Sequence, residues 1–167
     1  MSLLGIIGAM EEEVIKLNEM MTEPELIKKS GMDFYKGTIE GKNVVVVKCG
    51  VGKVNAAMCT QTMIDVFNVD SIINTGIAGS LNADINIGDI VFARDAVEHD
   101  MDVAALGYEP GIIPDTEMSV FKSDEHLLDI AKNAVKNCGL TVGVFTGRVV
   151  SGDQFISSKE KKEWLVN

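Results

Sequence analysis

The sequence predicts an α/β protein built as three α/β/α layers around a central mixed β-sheet. Three observations carry that expectation. Strand-like and helix-like segments alternate from end to end, the pattern that stacks helices on the faces of a sheet. Phe34–Ile39 and Asn43–Cys49 flank Glu40-Gly41-Lys42, a short glycine-containing connection typical of a hairpin, so one strand pair is antiparallel. Val44-Val45-Val46-Val47 shows no polar–apolar alternation, as expected of a strand covered on both faces.

The elements follow in order. Leu3-Leu4-Gly5-Ile6-Ile7 reads as a buried strand, and Glu11–Met21 carries Val14, Leu17 and Met21 at helical spacing. After the hairpin, Gly50-Val51-Gly52-Lys53 is a glycine loop opening a helix from Val54 to about Phe67. Ala56, Ala57, Met58, Cys59, Met63, Ile64, Val66 and Phe67 make that helix apolar or small on most sides, which predicts deep burial. Ser71-Ile72-Ile73-Asn74 is a short strand that leaves through Thr75-Gly76-Ile77-Ala78-Gly79-Ser80. Gly88-Asp89 precedes a strand from Ile90 to about Ala96. Between His99 and Met118 periodicity disappears, broken by Gly107, Pro110, Gly111 and Pro114; an irregular stretch of that length in a compact domain is usually functional. Ser123 is the expected cap of the next helix, with Leu127, Leu128, Ala131, Ala134, Val135 and Cys138 as its apolar face and Gly139 as its stop. Thr141–Val150 is a strand leaving through Ser151-Gly152-Asp153-Gln154-Phe155-Ile156, and Ser157 or Ser158 starts a charged helix. With no repeat, linker or low-complexity stretch, residues 1–167 read as a single domain.

Composition excludes several functions. A net charge of −10 argues against nucleic acid or an anionic membrane as partner. No window reaches the ~18 consecutive apolar residues of a membrane span, and no signal-peptide pattern stands at the N-terminus. Cys49, Cys59 and Cys138 are odd in number and widely spaced, which suits a reducing cytoplasm and neither a disulfide framework nor a metal site. No cofactor motif is present: the glycine loops match neither Gly-x-Gly-x-x-Gly nor a Walker loop.

The most informative run is Gly8-Ala9-Met10-Glu11-Glu12-Glu13, directly after the first strand. The carboxyl end of such a strand is where open α/β sheets hold ligands. Three glutamates there repel a phosphate, yet one of them suits the task of taking a proton from water. Read alone, the triplet is equally a helix cap, since acidic residues in a first turn favour the helix dipole by about 0.3–1 kcal/mol each. Glycines at three strand exits, Gly8-Ala9, Gly76–Gly79 and Ser151-Gly152, permit close backbone approach to a ligand, though each alone is also an ordinary turn.

Together these segments resemble the 5′-methylthioadenosine/S-adenosylhomocysteine nucleosidase family of the nucleoside phosphorylase superfamily. The resemblance is carried by Gly5-Ile6-Ile7-Gly8-Ala9-Met10-Glu11-Glu12-Glu13, Gly50-Val51-Gly52-Lys53-Val54, Ile73-Asn74-Thr75-Gly76-Ile77-Ala78-Gly79, Gly88-Asp89-Ile90-Val91, His99-Asp100-Met101-Asp102-Val103 with Gly107-Tyr108, and Val150-Ser151-Gly152-Asp153-Gln154-Phe155-Ile156, in the family's order.

It implies a nucleoside phosphorylase-like fold and hydrolysis of the bond between adenine and a 5′-thioribose, with no cofactor. By the same resemblance Glu13 is the water-activating carboxylate, which also faces the positive charge growing on the sugar. Met10 is a ribose contact, and Ile77, Ala78 and Gly79 line the sugar and water site. Phe155 stacks on adenine, Ile156 bonds the base edge through its backbone, and Val103 walls the base pocket. Val51, Leu106, Tyr108 and Pro114 are candidates to meet the 5′-alkylthio group. Ordinary loop packing is the competing reading for Leu106, Tyr108 and Pro114, and a core aromatic for Phe155. Part of the long loop reaches a neighbouring subunit in the family, which implies a homodimer. Asp102 and Asp153 are expected to hold loop backbone, and His99 to be a buried hydrogen-bonding residue.

The sequence also departs from the pattern. Family members continue through a strand bearing a Met-Glu pair that binds the ribose hydroxyls, then a Ser-Asp whose aspartate protonates the purine. The sequence stops at Asn167 ahead of both, so the fold is expected to lack its last strands and helices. The corresponding expectation is an incomplete product of a longer enzyme, with little nucleosidase activity alone. Three alternatives remain open at this stage: an aminodeoxyfutalosine nucleosidase, a nucleoside phosphorylase, and a non-catalytic adenine-nucleoside-binding module. The phosphorylase needs cationic phosphate ligands, and the sequence has only Arg94 and Arg148, neither in a strand-exit glycine loop.

Overall fold

A computed structural model describes residues 2–166, and these fall in two compact units that meet in sequence between Ala78 and Gly79. The first unit holds β1 (Leu3–Gly8), α1 (Glu11–Met20), β2 (Thr22–Lys29), β3 (Met32–Ile39), β4 (Lys42–Lys48), α2 (Lys53–Thr62) and β5 (Ser71–Asn74). Its sheet runs β2-β3-β4-β1-β5. β1 lies parallel to β4 and β5, while β2, β3 and β4 pair antiparallel, so the sheet is mixed as the hairpin signal requires.

The valine run explains the layering. Val45 and Val47 face a cluster with Phe34, Cys59, Met63 and Phe67, whereas Val44 and Val46 face Val14 and Met21 of the α1 side. Consecutive residues of a strand point to opposite faces, so the four valines join both helical layers to the sheet. All four are at most 2% exposed, and burying each contributes roughly 1.5–3 kcal/mol. Gly5 on β1 lets α2 approach, because a Cβ there would lie 2.6 Å from the Met63 sulfur.

The two hairpins turn on Ser30-Gly31 and Glu40-Gly41, all four with positive φ, which is the two-residue geometry whose twist matches the flanking strands. β2 is an element the sequence reading lacks. It is an exposed edge strand carrying Pro24, with a register irregularity between Thr22 and Glu25, so it shows none of the burial that makes strands legible.

α2 continues through a single π-helical turn, Met63–Phe67, and ends at Asn68 with φ 52°. The deep burial expected of it holds on one side only. Cys59, Thr62, Met63 and Phe67 are buried, but Val54, Met58, Ile64 and Val66 are exposed.

The second unit holds β6 (Ile90–Glu98), β7 (Phe121–Lys122), α3 (Glu125–Asn137), β8 (Val144–Ser151) and α4 (Lys159–Val166), with sheet order β7-β6-β8. β6 and β8 run parallel and β7 pairs antiparallel. Asp89 fixes the start of this sheet: its carboxylate accepts N–H bonds from Asn86 and Gly143 at 2.8 and 2.7 Å, which hold its pKa below the usual carboxylate range. The α3 cap is Asp124 rather than Ser123, since its Oδ1 accepts the Leu127 N–H at 2.9 Å. Ser158 is the residue that starts α4, accepting the Lys161 N–H. No helix among the described residues is long and apolar enough to cross a membrane.

Candidate active site

Three strand exits of the first unit meet at the end of β1. The Cys49 N–H donates to Gly8 O and the Thr75 N–H to Ile7 O, both at 2.9 Å, joining the exits of β4 and β5 to that of β1. Glu13 sits at this junction, half-buried in the first turn of α1. Its Oε2 accepts the N–H groups of Ala9 at 2.7 Å and Met10 at 3.0 Å, and its Oε1 accepts the N–H of Ile77 at 2.9 Å. The bond to Met10 is one half of a capping box, so the capping role is real. The bond to Ile77 is not part of a cap, because it crosses 64 residues of sequence to the exit of β5.

Glycines make the space. A Cβ on Gly8 would stand 3.0 Å from Glu13 Cβ, and one on Gly76 only 2.5 Å from Glu13 Oε1. Two of the glycines read as ligand-approach positions thus admit the carboxylate itself. A carboxylate offers about four acceptor positions, and three backbone donors occupy three of them. The remaining lone pair is available to a water molecule.

Around this centre the charge is acidic. Lys48 is bound to Glu11 at 2.9 Å, and that contact raises the lysine pKa. Cys49 is a residue sequence reasoning missed. Burial pushes its thiol pKa up and the neighbouring Glu13 charge adds to that, so it is a neutral thiol beside the carboxylate. Its Sγ donates to Gly50 O, ahead of Val51, which is 72% exposed on the loop into α2. Met10, Val51, Ile77 and Ala78 therefore all lie on loops leaving β1, β4 and β5.

Gly79, Val103, Leu106, Tyr108, Pro114, Phe155 and Ile156 belong to the second unit. Val103 precedes a single 3₁₀ turn, Ala104–Leu106, and Asp102 Oδ1 accepts the Ala104 N–H, holding loop backbone as expected. The loops after β6 and β8 are bound together: His99 N–H donates to Ser151 O at 2.9 Å, and Asp153 N–H to Asp100 Oδ2 at 2.8 Å. Val103 thus shares a connected loop pair with Phe155 and Ile156. Phe155 is 96% exposed, which removes the core-aromatic reading. Leu106 is largely exposed, and Tyr108 and Pro114 are at the loop surface or half-buried.

The arginines are committed elsewhere. Arg148 donates to Asp95 through Nε at 2.5 Å and through a terminal nitrogen at 3.2 Å, and Arg94 Nε reaches the same carboxylate at 3.1 Å. Asp95 is buried, and its carboxyl is held at about 2, chiefly by Arg148 with Arg94 adding. Both guanidinium groups are therefore spent on one internal carboxylate in β6. Among the described residues no three His, Cys, Asp or Glu side chains gather as a metal site.

The phosphorylase superfamily model matches residues 3–167. The chain is 41% identical over 163 residues to the 5′-methylthioadenosine/S-adenosylhomocysteine nucleosidase of Staphylococcus carnosus, spanning 98% of this chain and 70% of that protein. The nucleosidase of Neisseria meningitidis, solved with methylthio-immucillin-A, superimposes with a TM-score of 0.92 at 37% identity, over 98% of this chain and 70% of that one. The futalosine hydrolase of Helicobacter pylori gives a TM-score of 0.92 at 35% identity, over 99% and 70%.

Proposed function

The chain belongs to the phosphorylase superfamily, among its 5′-methylthioadenosine/S-adenosylhomocysteine nucleosidases, and from that premise we propose how its residues serve the reaction. The reaction is hydrolysis of the N-glycosidic bond of 5′-methylthioadenosine and S-adenosylhomocysteine, releasing adenine. The observation that carries the assignment of roles is the Glu13 carboxylate, held by three backbone N–H groups with one lone pair spare.

Water placed on that lone pair is polarised toward the anomeric carbon. As the C1′–N9 bond lengthens, its electron pair leaves with the purine and positive charge spreads over the ribose. The water oxygen then bonds to C1′ and gives its proton to Glu13, while the departing purine anion takes a proton from solvent to leave as adenine. Holding the carboxylate rigid contributes because no reorganisation is needed as charge develops. Met10 contacts the ribose, and Ile77, Ala78 and Gly79 line the sugar and water. Phe155 stacks on adenine, Ile156 bonds its edge through backbone, and Val103 walls the base. Val51, Leu106, Tyr108 and Pro114 meet the 5′-alkylthio group.

The commitments of three basic side chains weigh against phosphorolysis. Arg94 and Arg148 are both on Asp95, and Lys48 is on Glu11. The protein works as a homodimer, a reading supported by the exposed apolar side chains of Val54, Met58, Ile64 and Val66. Three free cysteines fit a cytoplasmic setting.

Chromatography of reactions with and without inorganic phosphate tests the reading. Adenine and free thioribose appearing at the same rate in both support it; phosphate-dependent formation of a ribose 1-phosphate overturns it. Calorimetric binding of adenine without any turnover supports the non-catalytic module instead. A second substrate, aminodeoxyfutalosine, is favoured by the likeness to the Helicobacter pylori futalosine hydrolase, and including it in the same panel decides the preference.

A further inference from the structure

The loop that enters α2 carries a glycine on each side of Val51. Gly50 and Gly52 have φ values of 87° and 103°, in the left-handed region that glycine adopts freely. Val51 itself is 72% exposed, so packing of its own side chain does little to fix it. Side chains from either end of the loop bond two successive carbonyls instead. From the strand side, Cys49 Sγ donates to Gly50 O at 3.1 Å. From the helix side, Asn55, the half-buried third residue of α2, donates from Nδ2 to Val51 O at 2.7 Å. A thiol is a weak donor, so the amide is the stronger of the two. The Asn55 side chain also lies against the bare face of Gly50, where a Cβ would stand 3.1 Å from its Nδ2.

From these contacts we infer that Asn55 is a positioning residue: by holding the Val51 carbonyl it sets where the Val51 side chain stands, and so how strongly the site favours a 5′-alkylthio group over a 5′-hydroxyl. The inference rests on the reading of Val51 as a contact of that alkylthio group. The helix gains nothing from the bond. In a first turn the groups short of partners are N–H donors, and Asn55 brings one more donor to a carbonyl that lies ahead of the Gly52 N-cap. Asn is also a poorer helix former than Ala, so its use at this position serves the loop. A Val51 left mobile between two glycines must be ordered each time a ligand arrives, which weakens binding roughly 3- to 10-fold. That cost falls on ligands that use Val51. A 5′-hydroxyl draws no benefit from an apolar neighbour, so adenosine gains little from the ordered loop and loses little without it.

Two variants of the whole chain test this. Asn55→Ala removes the amide and favours the helix, while Asn55→Asp keeps the shape, suits a first helical turn and has no donor for Val51 O. In backbone NMR relaxation, the order parameters of Gly50, Val51 and Gly52 are expected near about 0.85 in the native chain and below about 0.6 in both variants, with the α2 amides unchanged. Unchanged loop order in the variants overturns the inference, and this readout needs no bound nucleoside. Calorimetry with 5′-methylthioadenosine and adenosine gives the second readout. The preference for the thioether is expected to fall roughly 3- to 10-fold in both variants through weaker methylthioadenosine binding alone. Equal weakening of both nucleosides marks a merely structural role and overturns the inference, as does a preference kept in the Asn55 variants but lowered in Val51→Ala. Loss of loop order in the Asn55 variants with an unchanged preference in Val51→Ala supports the positioning of the loop and removes the alkylthio reading of Val51.

Discussion

The missing side chain of Gly76 and the carboxylate of Glu13 occupy one space: any Cβ at position 76 would fall 2.5 Å from Glu13 Oε1. The nearest atoms are the end of a side chain, so Gly76→Ala is accommodated by moving Glu13. Moving it breaks the bond from the Ile77 N–H. A displacement of about 1 Å at a reacting group costs on the order of 100-fold in rate. Gly76→Ala is therefore expected to keep the fold and to lower about 100-fold whatever adenine release the unsubstituted chain supports, with little change in KM. Steady-state kinetics check the split.

Glu13→Gln probes the same cradle from the other side. An amide presents an NH₂ to one of the three N–H donors that a carboxylate satisfies, so at least one pairing becomes donor against donor. Hydrogen bonds to charged groups are worth about 1.5–3 kcal/mol, and loss of a general base costs roughly 10²–10⁴ in rate. The variant is expected to unfold at lower urea concentration and to lose activity together. Activity lost with the urea midpoint unchanged means that the backbone contacts are not what holds this residue.

This double role shows how far the sequence was legible. The site corner and the double-sided burial of Val44–Val47 follow from local pattern, because periodicity and glycine placement are short-range signals. The exposed edge β2, with Pro24 and charges along it, has no such signature. Nor does sequence tell which faces of α2 find a neighbour, so an apolar composition misled on Val54 and Ile64. Cys49 beside Glu13, and Arg148 on Asp95, are contacts between distant positions that only the fold creates.

Asp95 gives a pH signature separate from the site. Its pKa is about 2 in the folded chain against an ordinary 3.8, held down by Arg148 first and Arg94 second. A carboxyl depressed by folding stabilises the protein fully above its unfolded value and loses that contribution as pH falls through the folded value. Urea midpoints are thus expected to decline between about pH 4 and pH 2. Asp95→Asn is less stable at neutral pH, because two arginines then face a group without charge, and its decline over the same window is shallower. An identical acid limb in the variant removes Asp95 from the explanation.

Phe155 separates a ligand-facing aromatic from a structural one. At 96% exposure it has almost no packing to lose, so Phe155→Ala is expected to leave stability within about 0.5 kcal/mol of the native chain. Its value lies in what it meets. Stacking of an aromatic on a nucleobase is worth about 1–3 kcal/mol, which predicts a loss of adenine affinity of roughly 5- to 150-fold. Calorimetry gives the affinity and thermal unfolding gives the stability on one sample. A native-like affinity in Phe155→Ala moves the base site away from the β8 exit. A large fall in melting temperature shows instead that this ring packs against protein, by a contact that opens it only part of the time.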